Sequence, residues 1–149
     1  MAAARRVRVR LQAEDFDPGV ELAALTAGRA DIGGVALFLG LTREFAHDER
    51  LIAMTIEHYP GMSERELTRL AEDASRRWSL AAVTLLHRFG RLLPGERIVL
   101  VAAGAPHREP AFAACRFLID HLKTKAPLWK REETAAGRHW VQAREDDER

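Results

Sequence analysis

The stretch Lys123-Thr-Lys-Ala-Pro-Leu-Trp-Lys130 sets three lysines and an indole around a point where a proline forces the chain to turn. A lysine crowded by other cations or by apolar walls loses basicity, and its free amine can then move a proton or attack an electrophile. The same lysines also suit the last turn of a helix, where ammonium groups complement the dipole, and spacing alone favours that plainer task. Trp129 can stack on a flat heterocycle, although an aromatic at the start of a short strand more often packs into a core.

His107-Arg108 stands just before Pro110, where a helix begins. Free backbone amides and the positive end of the helix dipole favour an anion there, and an arginine grips phosphate through two parallel hydrogen bonds. A surface charge beside a capping imidazole accounts for the pair equally well. His58 with Tyr59 precedes a Pro-Gly turn, and His87 with Arg88 closes a strand. As exposed strand-end polar residues, neither pair is assigned a catalytic task. Cys115, inside Phe-Ala-Ala-Cys-Arg-Phe, reads as a packed thiol without activating neighbours.

Several familiar devices are absent from the sequence: no G-x-x-x-x-G-K-[ST] phosphate loop, no G-x-G-x-x-G turn, no G-x-S-x-G elbow and no H-E-x-x-H pair. The charges balance at 23 Lys and Arg against 22 Asp and Glu, so no global field marks a nucleic-acid or membrane-surface protein. One cysteine suits a reducing cytoplasm, and no apolar run approaches the roughly 20 residues that span a bilayer.

The elements that must position these residues emerge from pattern. Val7-Arg-Val-Arg-Leu11 alternates as a strand, and Asp17-Pro18 opens a short helix that runs to about Gly28. Gly33-Gly-Val-Ala-Leu-Phe-Leu-Gly40 reads as a buried strand, and the charged segment 42–50 as a mobile loop leading to a strand from Leu51 to about His58. Ser63 and Glu66 form an S-x-x-E capping box for a helix with Leu67, Leu70, Ala74 and Trp78 on its apolar face. Strands at 82–88 and 97–103 make an antiparallel hairpin, and Phe112, Cys115, Ile119 and Leu122 mark a helix from Pro110 to Thr124. Two short strands, 128–132 and 139–142, flank Ala135-Ala-Gly137, and Trp78 and Trp140 are assigned to the core. With 149 residues, 47% of them hydrophobic, the chain is expected to form one α+β domain, mostly antiparallel sheet with flanking helices. Residues 1–6 and 145–149 are expected to be flexible ends.

Together, Glu57-His-Tyr-Pro-Gly-Met62, His87-Arg-Phe-Gly90, Pro94-Gly-Glu96, His107-Arg108, Ala111-Phe112, Asp120-His-Leu-Lys123, Pro127-Leu-Trp-Lys-Arg-Glu132 and Trp140-Val141 make the chain resemble the large, catalytic subunit of molybdopterin synthase. The likeness runs from about Gly33 to Arg144 in the family's order and spacing. It implies a homodimer of α+β subunits, each binding a small ubiquitin-like sulfur carrier whose C-terminal Gly-Gly thiocarboxylate enters the pocket, for a heterotetramer overall. It implies transfer of two sulfurs to cyclic pyranopterin monophosphate, which opens the cyclic phosphate and leaves the dithiolene, with no metal or organic cofactor.

By the same resemblance, Lys123 matches the essential lysine and Lys130 the second one. Arg43, His107 and Arg108 match contacts to the substrate's phosphate and pterin, Arg131 and Glu132 continue the second lysine's motif, and Arg144 would reach a neighbouring subunit. Thr42 departs from the family, which commonly has Val before the arginine. Two other classes remain open: a non-enzymatic anion- or nucleotide-binding dimer, and a single-strand RNA-binding module using Trp129 and its basic neighbours, against which the balanced charge weighs.

Overall fold

A computed structural model describes residues 4–141. The alternating start forms β1 (Arg6–Gln12). Arg6, expected in a flexible end, opens this strand and donates to the carbonyls of Ala24, Leu25 and Ala27. Asp17 caps α1 (Pro18–Thr26) by accepting from the amides of Gly19 at 2.8 Å and Val20 at 3.3 Å, an arrangement that contributes about 1 kcal/mol.

The glycine-bounded run forms β2 (Gly34–Leu41), but it is not the buried strand its composition suggests. Only Ala36 is buried, while Leu37, Phe38 and Leu41 are 38%, 37% and 50% exposed, because β2 lies at a sheet edge. The segment expected as a mobile loop folds instead into a hairpin of β3 (Phe45–Ala46) and β4 (Glu49–Arg50). Its turn residues His47 and Asp48 have φ of 50° and 67°, the handedness a two-residue hairpin needs without the usual glycine to signal it.

Next come β5 (Ala53–His58) and α2 (Met62–Arg77). The capping box does not form: the N-cap is Gly61, which makes no side-chain cap bond. Ser63 is inside the helix, fully buried, and its hydroxyl accepts from the Tyr59 amide at 2.9 Å and donates to the Pro127 carbonyl at 2.8 Å. A distant carbonyl outcompetes the local cap. Then come β6 (Ala82–Arg88), β7 (Gly90–Leu92), β8 (Arg97–Ala105), α3 (Arg108–Thr124), β9 (Leu128–Thr134) and β10 (Gly137–Trp140). The expected strand residue Gln142, together with Arg144 and residues 145–149, lies outside the described residues.

Two four-stranded sheets result, β1-β6-β8-β2 with β1 and β6 parallel and the rest antiparallel, and the wholly antiparallel β10-β9-β5-β7. The α+β expectation of mostly antiparallel sheet with flanking helices matches this architecture. In β6, period-2 alternation sends Val83 and Leu85 toward α2 and α3, and Ala82 and Leu86 into the cluster with Phe16 and Leu25 beside α1. A third cluster, with Met54, Ile56, Leu92 and Ile98, joins the second sheet to the start of β8. Trp78 packs against the helical core as expected. Trp140 does not: it is 53% exposed on β10, a short strand at the sheet edge.

Candidate active site

The C-terminal end of α3 points into the gap between the two sheets. There a cavity of about 420 Å³ is walled by Gly40 and Arg43 at the end of β2, His87 of β6, Val99 of β8, Lys123 of α3 and Lys130 of β9. A second cavity of about 460 Å³ adjoins it, sharing Arg43, Met54, Leu122, Lys123 and Lys130 and extending past Trp129 and Glu132. Lys123 and Lys130, seven positions apart in sequence, thus meet across the turn that Pro127 makes.

Each wall has a local cause. A Cβ at Gly40 would stand 2.6 Å from Val99 Cγ1, so glycine lets β2 press on β8 without displacing the Val99 side chain where the register shifts at Gly40/Leu41. Just beyond, the Thr42 amide donates to the Glu96 carbonyl at 2.8 Å, and the Thr42 carbonyl accepts from the Gly95 amide at 2.8 Å. These two bonds fix the backbone that carries Arg43. On β9, alternation turns Lys130 and the buried Glu132 toward the cavities. Arg131 faces the other way, with Glu57 at 3.9 Å and the Trp140 ring at 5.7 Å.

The expected residues therefore divide. Arg43, Lys123, Lys130 and Glu132 come together, with three cations and one carboxylate around a half-apolar space suited to a phosphate or carboxylate group. Arg131 does not line either cavity. His107 and Arg108 do not either: they begin α3, whose 17 residues at about 1.5 Å each put the two ends roughly 25 Å apart. The His107 imidazole makes no cap bond, so it is not the cap its position suggests. Trp129, 42% exposed, lines the second cavity and meets Tyr59 edge-on at a centroid distance of 4.8 Å. His58 stacks on Phe89 at 4.1 Å, away from both spaces.

His87 is the residue that sequence reasoning missed. Neither it nor Arg88 is an exposed strand end; they are 3% and 8% exposed. Burial, together with the charge of Lys130, pushes the His87 imidazole down from 6.5 to about 4 against the opposing hydrogen bond to Arg88, so it is neutral at pH 7. The signal lay in β6 itself, since His87 continues the Val83, Leu85 side of the strand that faces the helices. Cys115 is buried as expected, and burial raises its thiol to about 11, which leaves it protonated and inert. Among the described residues, no three His, Cys, Asp or Glu side chains converge as a metal site.

Two sheets and a helix end thus enclose a cationic cavity in an α+β domain. Residues 11–125 match the family model described as MoaE protein. A molybdopterin synthase catalytic subunit of Ralstonia nicotianae is 49% identical over 141 residues, covering 95% of this chain and 80% of that protein. One from Mesorhizobium japonicum is 48% identical over 149 residues, covering 99% and 92%. A solved molybdopterin biosynthesis MoaE protein from Burkholderia ambifaria has a TM-score of 0.77 and 48% identity, over 92% of this chain and 90% of that one. The chain belongs to the MoaE protein family.

Proposed function

We propose that the chain is the catalytic subunit of a molybdopterin synthase, moving sulfur from the thiocarboxylated C-terminus of a small ubiquitin-like carrier to cyclic pyranopterin monophosphate. The observation that carries this reading is the convergence of Arg43, Lys123 and Lys130 on one cavity, in a chain so close to molybdopterin synthase catalytic subunits. Each transfer forms a carbon–sulfur bond on the pterin in place of a carbon–oxygen bond, and water then hydrolyses the acyl carbon–sulfur bond to the carrier, which leaves as a carboxylate while the sulfur stays on the pterin. Both partners bring negative charge, and a desolvated cationic pocket stabilises it better than water does.

In this reading Arg43 grips the cyclic phosphate through its planar donor fork. Lys123 polarises the thiocarboxylate or passes the proton that the departing phosphate oxygen needs, and Lys130 assists. Glu132 orients the lysines, while Arg131, held by Glu57, steadies β9. The second cavity, beside Trp129, would take the Gly-Gly tail. One buried free thiol suits the reducing cytoplasm, where this reading sets the reaction.

His107 and Arg108 take a role here through a homodimer. β2 is an edge strand with exposed Leu37, Phe38 and Leu41. One end of β2 touches the start of α3, since a Cβ on Gly34 would lie 3.6 Å from Arg108 Cα, and the other end reaches the cavity at Gly40. Antiparallel pairing of β2 with its copy across a two-fold axis carries each His107-Arg108 pair to the other subunit's cavity, at a span that β2, about 27 Å long by its eight residues, matches. Two carriers on such a dimer make the heterotetramer.

Mixing Lys123→Ala chains with Arg108→Ala chains tests this arrangement, because a mixed dimer has one site with both residues intact. Each variant alone is expected to be inactive and the refolded mixture to regain sulfur transfer. A mixture as inactive as its parents contradicts the shared site.

A further inference from the structure

The proposed reaction leaves one polar wall residue of the cavity, His87, without a task, and any task for it in turnover rests on that reaction. The ring is held in one orientation: Nδ1 lies 2.7 Å from the carbonyl oxygen of Arg88. A carbonyl only accepts, so the proton sits on Nδ1 and Nε2 keeps a bare lone pair. The ring is neutral and desolvated, and it shares its cavity wall with the cations Arg43, Lys123 and Lys130. A fixed acceptor among donors is an arrangement for orienting one of them.

We propose that His87 is a positioning residue of this site, its Nε2 lone pair accepting from the Lys130 ammonium and fixing that group at the cavity wall. The charged groups that share these cavity walls with Lys130 come from three parts of the fold. They are Arg43 beyond β2, Lys123 on α3 with Lys125 just after it, and Glu132 on β9. Of these groups, Glu132 and the His87 lone pair can accept from an ammonium, whereas the cations cannot. Losing the lone pair tips Lys130 toward the neutral amine.

Two substitutions of similar polarity separate this role from simple filling of space. His87→Gln sets a carbonyl oxygen near the position of Nε2, whereas His87→Asn reaches only as far as Nδ1. The protein is reductively methylated with carbon-13, the Lys130 resonance is assigned by Lys130→Arg, and its titration is followed by NMR without carrier or pterin. His87→Asn is expected to lower the Lys130 midpoint by about one pH unit, and His87→Gln to hold it near that of the unaltered chain. In turnover assays the alkaline limb of the kcat profile should move with the Asn midpoint alone. Equal Lys130 midpoints in all three proteins overturn the proposal. Because the titration needs neither substrate, failure of the sulfur-transfer reading is seen separately.

Discussion

The Ser63 hydroxyl donates to the Pro127 carbonyl across 2.8 Å, joining the first turn of α2 to the bend between Lys123 and Lys130. The same oxygen accepts from the Tyr59 amide, so one buried atom satisfies two backbone groups. Ser63→Ala takes this partner from both, in a part-buried place. We expect it to cost about 1–3 kcal/mol of stability and to raise KM for the carrier, since the Pro127 bend would lose its anchor. Urea denaturation and steady-state kinetics check this; unchanged values of both contradict it.

Thr42 is the departure from the family's commoner Val. The hydroxyl is buried and has no hydrogen-bond partner among the described residues, while the backbone bonds of Thr42 do the holding. Thr42→Val removes a stranded polar atom and keeps the shape. The denaturation midpoint should rise, corresponding to about 1–2 kcal/mol, with Arg43 and turnover undisturbed. A less stable Val variant refutes this account of Thr42.

His87 also makes stability depend on pH. Its folded value of about 4 lies below its ordinary 6.5, so the unfolded chain takes up a proton that the native chain refuses. The stabilising contribution is complete above about pH 6.5 and is lost as the pH falls from there toward 4, with a total of roughly 3 kcal/mol. Carboxylates titrate in the same range, so the comparison is between the unaltered chain and His87→Gln, in urea unfolding at pH 7 and pH 5. The unaltered chain should lose more stability over that interval. Parallel losses would mean that His87 is not held neutral.

The features legible in the sequence were local. Asp17 announced its cap, the alternation of β1 announced a strand, and the apolar spacing from Phe112 to Leu122 announced α3. Lys123, Lys130 and Arg43 were legible through the family resemblance, and their meeting in one cavity comes from the turn at Pro127 and the bulge at Gly40. Other features depended on distant partners. The S-x-x-E pattern gave way to Pro127, Trp140 fell on a sheet edge, and Arg131 was turned from the cavity by strand parity. The helix expected from Pro110 to Thr124 already implied that His107 and Arg108 lie a helix length away from Lys123. His87 was overlooked because a histidine at a strand end looks exposed until the layer over that face is known.

Sulfur transfer itself is tested most directly by anaerobic incubation of the chain with a thiocarboxylated carrier and cyclic pyranopterin monophosphate, with mass analysis of the pterin afterwards. We expect a product carrying two added sulfurs, and a rate at least about a hundredfold lower in a folded, carrier-binding Lys123→Ala variant. Intact pterin in the presence of a verified carrier, or full turnover without Lys123, would contradict this assignment.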